Sequence, residues 1–281
     1  RLDRPIGVYL LMWPTLWALW FAAEGIPNLK TLSIFLVGLI VMRAAGCVIN
    51  DYADRDIDGL VERTKTRPLP AGEITPNQAL WLCGGLLFTA LILVLMTNRL
   101  TIALSFGGLI VTAIYPFMKR FTHLPQIGLG VAWAWVVPMA FAAHREELPW
   151  GLWLIFAAIV VWTVAFDTYY AMVDRADDLK IGVKSTAVLF GHYDLAMIVL
   201  LQMATLVLMF LVGLEFQRGW IYFFGLLVAA AFFAKQFRHA RTRERQACFA
   251  AFLSNHRVGM VIFIGIALDY VYEGLPLASY F

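Results

Sequence analysis

The sequence predicts an all-α integral membrane protein, one domain over residues 1–281 with nine transmembrane helices. Three observations predict it. Hydrophobic residues make up 61% of the chain and charged residues only 15%, where a soluble domain carries about 25% charge. The apolar residues fall in runs long enough to cross about 30 Å of hydrocarbon. Finally, lysine and arginine alternate between the two sides that those runs define.

In order, the runs lie near 6–24, 31–49, 79–97, 101–118, 125–143, 150–171, 194–213, 216–237 and 256–274. The first carries Trp13, Trp17 and Trp20 and is longer than a signal-peptide core, so it is read as a retained span with interfacial anchors. The second runs straight into an acidic stretch. Pro14, Pro116 and Pro138 are expected to kink the first, fourth and fifth spans, which a helix bundle tolerates. The sixth holds a carboxylate, Asp167, within its apolar run. With the N-terminus on side one, that side collects 17 lysines and arginines, and side two only Lys30, Arg99, Arg145 and Arg218. A different span count scrambles this split, so it supports both nine spans and a cytoplasmic side one.

Net charge is +3 with no lysine- or arginine-rich block, so no nucleic-acid partner is expected and membrane lipid is the surroundings. Cys47, Cys83 and Cys248 lie far apart without metal or disulfide spacing and read as buried small hydrophobes. The side-one loops near 50–78, 172–193 and 238–255 carry most of the polar chemistry.

The densest polar stretch is "NDYADRDID", residues 50–58. If the second helix continues through it at about 100° per residue, Asn50, Asp51, Asp54 and Asp58 share one stripe and Asp56 faces solvent. Arg43 falls on the same stripe two turns deeper. Three aspartates within ~6 Å repel by roughly 3 kcal/mol per pair at an effective dielectric of 20, so they need a cation or take up protons. An all-oxygen donor set selects a hard ion such as Mg²⁺. The alternative is an ordinary solvated helix end.

The pattern recurs at the end of the sixth span, where Asp174 and Asp178 share a face, Asp167 lies deeper on it and Asp177 is a neighbour. Asp167 is either functional, as intramembrane carboxylates usually are, or a helix-packing group bonded to a tyrosine. Bases follow each cluster: Arg63 and Arg67 the first, Lys180 and Lys184 the second. Between them "YPFMKR" puts Lys119 and Arg120 at the end of the fourth span. Head-group anchoring explains such charges in many membrane proteins. Acids and bases converging from four helices are also what a metal–diphosphate complex needs.

These motifs resemble those of the UbiA superfamily of intramembrane aromatic prenyltransferases, which shows NDxxDxxxD in one half and DxxxD in the other. Here they stand as "NDYADRDID" and "DRADD", with an intervening YxxxK, and the similarity runs over nearly the whole chain. The stretches "RAAGCVINDYADRDIDGLVERTKTRPLPAG", "YPFMKRFTHLPQIGLG" and "DTYYAMVDRADDLKIGVKSTAVLFG" are most similar to the branch that prenylates 4-hydroxybenzoate in bacterial ubiquinone synthesis. The resemblance implies nine helices around a central cavity, in the bacterial inner membrane. It assigns metal binding to Asn50, Asp54, Asp58, Asp174 and Asp178, with Asp51 also matching, and diphosphate contacts to Arg63, Arg67, Lys119 and Lys180. The implied substrates are a polyprenyl diphosphate and 4-hydroxybenzoate, with Mg²⁺ as cofactor. Tyr115 is expected to stabilise an allyl cation through its ring face. Arg43 is expected to anchor the benzoate carboxylate, or else to form a structural salt bridge with Asp51 or Asp54. The runner-up is another aromatic acceptor, such as a dihydroxynaphthoate, homogentisate, haem or chlorophyll precursor. The competing class is a secondary transporter, which expects mid-membrane charge and inverted repeats. The charge here sits mostly at the helix ends, and the two motifs, four spans apart, share one orientation.

Overall fold

A computed structural model describes residues 5–56, 58–60 and 64–274. Eleven α-helices follow in order: α1 Ile6–Ala23, α2 Leu29–Ala53, α3 Pro76–Leu95, α4 Arg99–Met118, α5 Pro125–Ala134, α6 Val136–Arg145, α7 Leu152–Ile181, α8 Thr186–Phe190, α9 Asp194–Glu215, α10 Trp220–Ala240 and α11 Arg245–Glu273. Among the described residues, nine stretches are long and apolar enough to span a bilayer, with α5–α6 and α8–α9 each forming one. The expected nine spans are therefore found. Several run past the apolar segment: α7 continues to Ile181, and α11 begins at Arg245 rather than near 256.

Local chemistry starts the helices where the chain re-enters. Asn28 and Asn98 accept the backbone N–H groups of Thr31 and Thr101, Thr75 forms a capping box with Gln78, and Ser185 accepts from Val188 N–H. Each satisfies a donor that a helix N-terminus otherwise leaves orphaned. Of the three expected proline kinks, only the fifth span is broken. Pro138 cannot bond the Ala134 carbonyl and crowds it, and the helix divides at Trp135 into α5 and α6. Pro14 and Pro116 stay inside continuous helices.

Successive spans pack side by side and α11 closes back on α1, giving a ring. Half of it is filled: α7 packs against α11 and α1 against α6. Trp17, wholly buried, stacks near Trp162 and donates its indole N–H to the Gly259 carbonyl at 3.0 Å. The first span is thus integral to the core. All three cysteines are free and buried, as expected. The other half, between α2, α3 and α4, encloses a cavity. The outer faces of α3 and α4 are apolar, with Trp81 and Phe88 exposed, as a lipid-facing surface requires.

The end of the ring away from the acidic motifs is held by ionic groups bonded to backbone. Asp269 of α11 accepts the N–H groups of Gly219 at 2.8 Å and Tyr222 at 3.2 Å, capping α10. Arg218 lies 3.7 Å from Asp269 and 2.7 Å from Glu273. Arg145 donates to the Ala22 and Phe21 carbonyls at the end of α1 and pairs with Glu24.

Candidate active site at the acidic end of the ring

The expectation that α2 runs straight through Asp58 is corrected. It stops at Ala53, Asp54 caps it, and Asp58 begins a separate 3₁₀ turn. Four carboxylates crowd the negative end of the helix dipole, and aspartate is a poor helix former, so the helix unravels there. The turn is nevertheless bonded one step at a time: Asp54 N–H to the Asn50 carbonyl at 2.9 Å, then Asp58 N–H to the Asp54 carbonyl at 2.8 Å. Asp51 and Asp58 still meet at Arg67, while Asp54 turns to Lys119. Asp54 and Asp58 are buried at 3% and 5% exposure, and Asp56 faces solvent as expected.

Basic side chains from two other segments complete this cluster. One Arg67 nitrogen, Nη1, bridges Asp51 Oδ1 at 3.1 Å and Asp58 Oδ2 at 2.6 Å. Lys119, just past α4, places Nζ 2.5 Å from Asp54 Oδ1. Arg120, expected beside it as a substrate contact, instead donates to the Ala53 carbonyl at 2.6 Å and caps the end of α2. Arg63 lies outside the described residues.

The second motif reaches the first through a shared loop. Asp174 and Asp178 stand half-buried on α7. The helix ends at Gly182, whose φ of 74° suits a residue without a Cβ, and Val183 N–H returns to the Asp178 carbonyl. The chain then lies across the α4–α5 loop. Lys184 N–H donates to the Lys119 carbonyl at 3.3 Å, Lys184 Nζ to the Phe121 carbonyl, and Thr186 N–H to Gln126 Oε1. The residue that holds Asp54 is thus stitched to the loop that follows Asp178. Ser185 Oγ lies 3.5 Å from Asp178 Oδ2. Lys180 is not gathered in; it is 76% exposed, with Asp177 of its own helix 3.8 Å away. Asp177, a neighbour expected to be able to join the cluster, is drawn off by Arg245 at 3.0 Å.

Among the described residues, no three His, Cys, Asp or Glu side chains converge as a preassembled metal site. In the first cluster, Arg67 and Lys119 offset two of the three negative charges of Asp51, Asp54 and Asp58. The donors of this cluster are all oxygens, two of the carboxylates are buried, and their partners are long side chains able to turn toward another anion. That donor chemistry fits a hard divalent cation accompanied by a phosphate.

Deeper in the membrane lies the cavity, about 270 Å³, lined by Thr15, Met42, Arg43, Gly46, Tyr115 and Trp133 among mostly apolar neighbours. Arg43 packs flat against α1 at Gly7, where any Cβ would fall 2.4 Å from Nε and Nη2. Among the described residues no carboxylate ion-pairs with Arg43. Among the described residues the structure gives Asp51 to Arg67 and Asp54 to Lys119, with no ion pair from either to Arg43. Tyr115 of α4 shares the cavity wall with Arg43 of α2.

Sequence reasoning missed one polar centre. Asp194, fully buried at the start of α9, pairs with Arg175 of α7 and with Arg243, whose Nε and Nη2 lie 3.0 Å and 2.9 Å from Oδ1. Its hydrogen bond to Asp194 raises Arg243 above its ordinary value, so the guanidinium stays charged. The only signal was an aspartate opening an apolar run, in "FGHYDLA".

Known proteins share both the sequence and the architecture. Proteins named 4-hydroxybenzoate octaprenyltransferase from Ectopseudomonas mendocina (strain ymp) and Azotobacter vinelandii (strain DJ / ATCC BAA-1303) are 57% and 58% identical over 270 residues. Each match covers 96% of this chain and 91% or 92% of the relative. An apo structure of a UbiA homolog from Aeropyrum pernix K1 superposes with a TM-score of 0.83 at 24% identity, over 95% of this chain and 98% of that one. A UbiA homolog from Archaeoglobus fulgidus bound to GPP and Mg²⁺ gives 0.74 at 20% identity, over 96% and 97%. These two likenesses speak for the ring of helices; the sequence profile of the UbiA prenyltransferase family, which matches residues 11–278, bears out the resemblance carried by the two acidic motifs, and the chain belongs to that family.

Proposed function

We propose that the whole chain is one catalytic unit that transfers a polyprenyl group from polyprenyl diphosphate to the ring carbon ortho to the hydroxyl of 4-hydroxybenzoate, in ubiquinone synthesis. The reading is carried by one juxtaposition: carboxylates already paired with exchangeable cations, directly above an apolar cavity with Arg43 and Tyr115 on its wall. The relatives named 4-hydroxybenzoate octaprenyltransferase support the choice of acceptor.

Asn50, Asp51, Asp54 and Asp58, with Asp174 and Asp178 from α7, would hold Mg²⁺, which supplies positive charge to the diphosphate as the allylic C–O bond breaks. Arg67 and Lys119 exchange their carboxylates for phosphate oxygens, and Arg63 and Lys180, the latter from the exposed end of α7, add charge. Arg120 holds the end of α2, and so the first motif, in place. The cavity excludes water, so the allyl cation meets the ring rather than a hydroxyl. Tyr115 offers its ring face to that cation. Arg43 grips the acceptor carboxylate with a bidentate fork, and Asp167 contributes negative charge at the same depth. The new C–C bond forms at the ring carbon and the ring proton leaves to a base.

A cavity of about 270 Å³ sits just below the usual range of 300–1,000 Å³ for a small-ligand pocket. It suits one aromatic ring and the first isoprene units, with the rest of the tail in lipid. The basic asymmetry of the loops supports a cytoplasmic acidic end, and the bacterial relatives support the inner membrane. The test incubates membranes containing the protein with labelled 4-hydroxybenzoate, polyprenyl diphosphates of several lengths and Mg²⁺. Label should enter the lipid extract and stop doing so with EDTA; label excluded from lipid with every donor contradicts the reading.

A further inference from the structure

Asp174 and Asp178 lie on the last two turns of α7, beyond the apolar part of the span, where Leu179 and Lys180 are exposed. Apolar packing therefore does little to set the rotation of this helix end. Polar contacts flank the acidic stripe instead. About 100° to one side of Asp174 on the helical wheel, Arg175 is held by Asp194, which also accepts Arg243 and the Leu195 N–H. About 60° to the other side, Asp177 is held by Arg245. Both contacts trace to residues 243–245, where α11 begins. An aspartate with no solvent exposure is costly unless its partners stay in place, so this network is rigid where the helix end alone is not.

We propose that Asp194 is a positioning residue: with Arg243 it fixes Arg175, and thereby aims Asp174 and Asp178 at the first acidic cluster. The inference rests on the functional reading above. On a helix about 5–6 Å in outer radius, a 20° rotation moves a side-chain end by about 2 Å. A misplacement of about 1 Å can cost a hundredfold in rate.

The test uses purified full-length protein in detergent and two readouts, Mn²⁺ affinity by electron paramagnetic resonance with inorganic diphosphate present, and the Mg²⁺ concentration for half-maximal transfer. Asp194→Asn should weaken both about tenfold and raise KM for the polyprenyl diphosphate, leaving KM for 4-hydroxybenzoate within twofold. Asp194→Glu should recover most of the loss. Arg243→Gln, which keeps the Arg175 pair, should shift both about threefold and remains decisive if Asp194→Asn does not fold. Unchanged Mn²⁺ and Mg²⁺ dependence in a folded Asp194→Asn or, failing that, in Arg243→Gln overturns the proposal, whatever the loss of thermal stability. A wild-type protein without Mg²⁺-dependent transfer sinks the functional reading separately, and the Mn²⁺ titration still decides this one.

Discussion

The two ends of the helix ring spend their charges differently. At the end holding Asp269, acids and bases pair with one another and also close on backbone: Asp269 caps α10, and Arg145 caps α1. Those partners cannot leave without undoing a helix. Within the first acidic motif the carboxylates meet long side chains, Arg67 with Asp51 and Asp58, Lys119 with Asp54. Such pairs can open and re-form around an incoming ion without loss of secondary structure. A buried charge fixed by main chain serves the fold; the charges of the first motif, paired with long side chains beside a cavity, are available for chemistry.

Substitutions at the two ends should separate these roles. The largest effect is expected at Asp54. Asp54→Asn keeps the shape, removes one charge from the cluster and should lower kcat about a thousandfold, measured as labelled acceptor entering lipid; a loss under tenfold would mean the pair with Lys119 is only structural. Next comes Arg43. Arg43→Leu should raise KM for 4-hydroxybenzoate about thirtyfold, the worth of a charged hydrogen-bonded contact, with KM for the diphosphate unchanged. An acceptor KM that does not move removes Arg43 from the site. The smallest catalytic effect belongs to Asp269. Asp269→Asn breaks its pair with Arg218, so thermal unfolding in detergent should fall by several degrees, roughly, while kcat stays within twofold. A large fall in kcat there would erase the contrast between the ends.

Much of the fold and of the acidic motifs was legible in the sequence, for identifiable reasons. Apolar runs and the sidedness of lysine and arginine fix the number of spans, because the bilayer imposes both length and charge asymmetry. The sequence suggested one face for Asn50, Asp51, Asp54 and Asp58, and the structure joins two of them, Asp51 and Asp58, through Arg67. The helix break between them was not legible, since it arises from carboxylates accumulating at a helix C-terminus rather than from periodicity. Hydropathy also stops at the hydrocarbon edge, so the last turn of α7 beyond Asp178 and the extension of α11 back to Arg245 were hidden. With them went the network around Asp194, whose three members lie in three distant segments. Lys180 and Arg120 show the same limit: a wheel gives a direction, and only packing reveals that one faces outward and the other caps α2.

The most direct test of the claim that both acidic motifs serve one exchangeable site is thermal unfolding in detergent with Mg²⁺ and inorganic diphosphate, separately and together. A ligand at a hundred times its Kd stabilises by about 2.7 kcal/mol, so the wild type should gain several degrees only when both are present. That gain should vanish in Asp54→Asn and equally in Asp174→Asn, and persist in Asp269→Asn. A gain that survives intact in Asp174→Asn would contradict the account, because the second motif would then stand apart from the first.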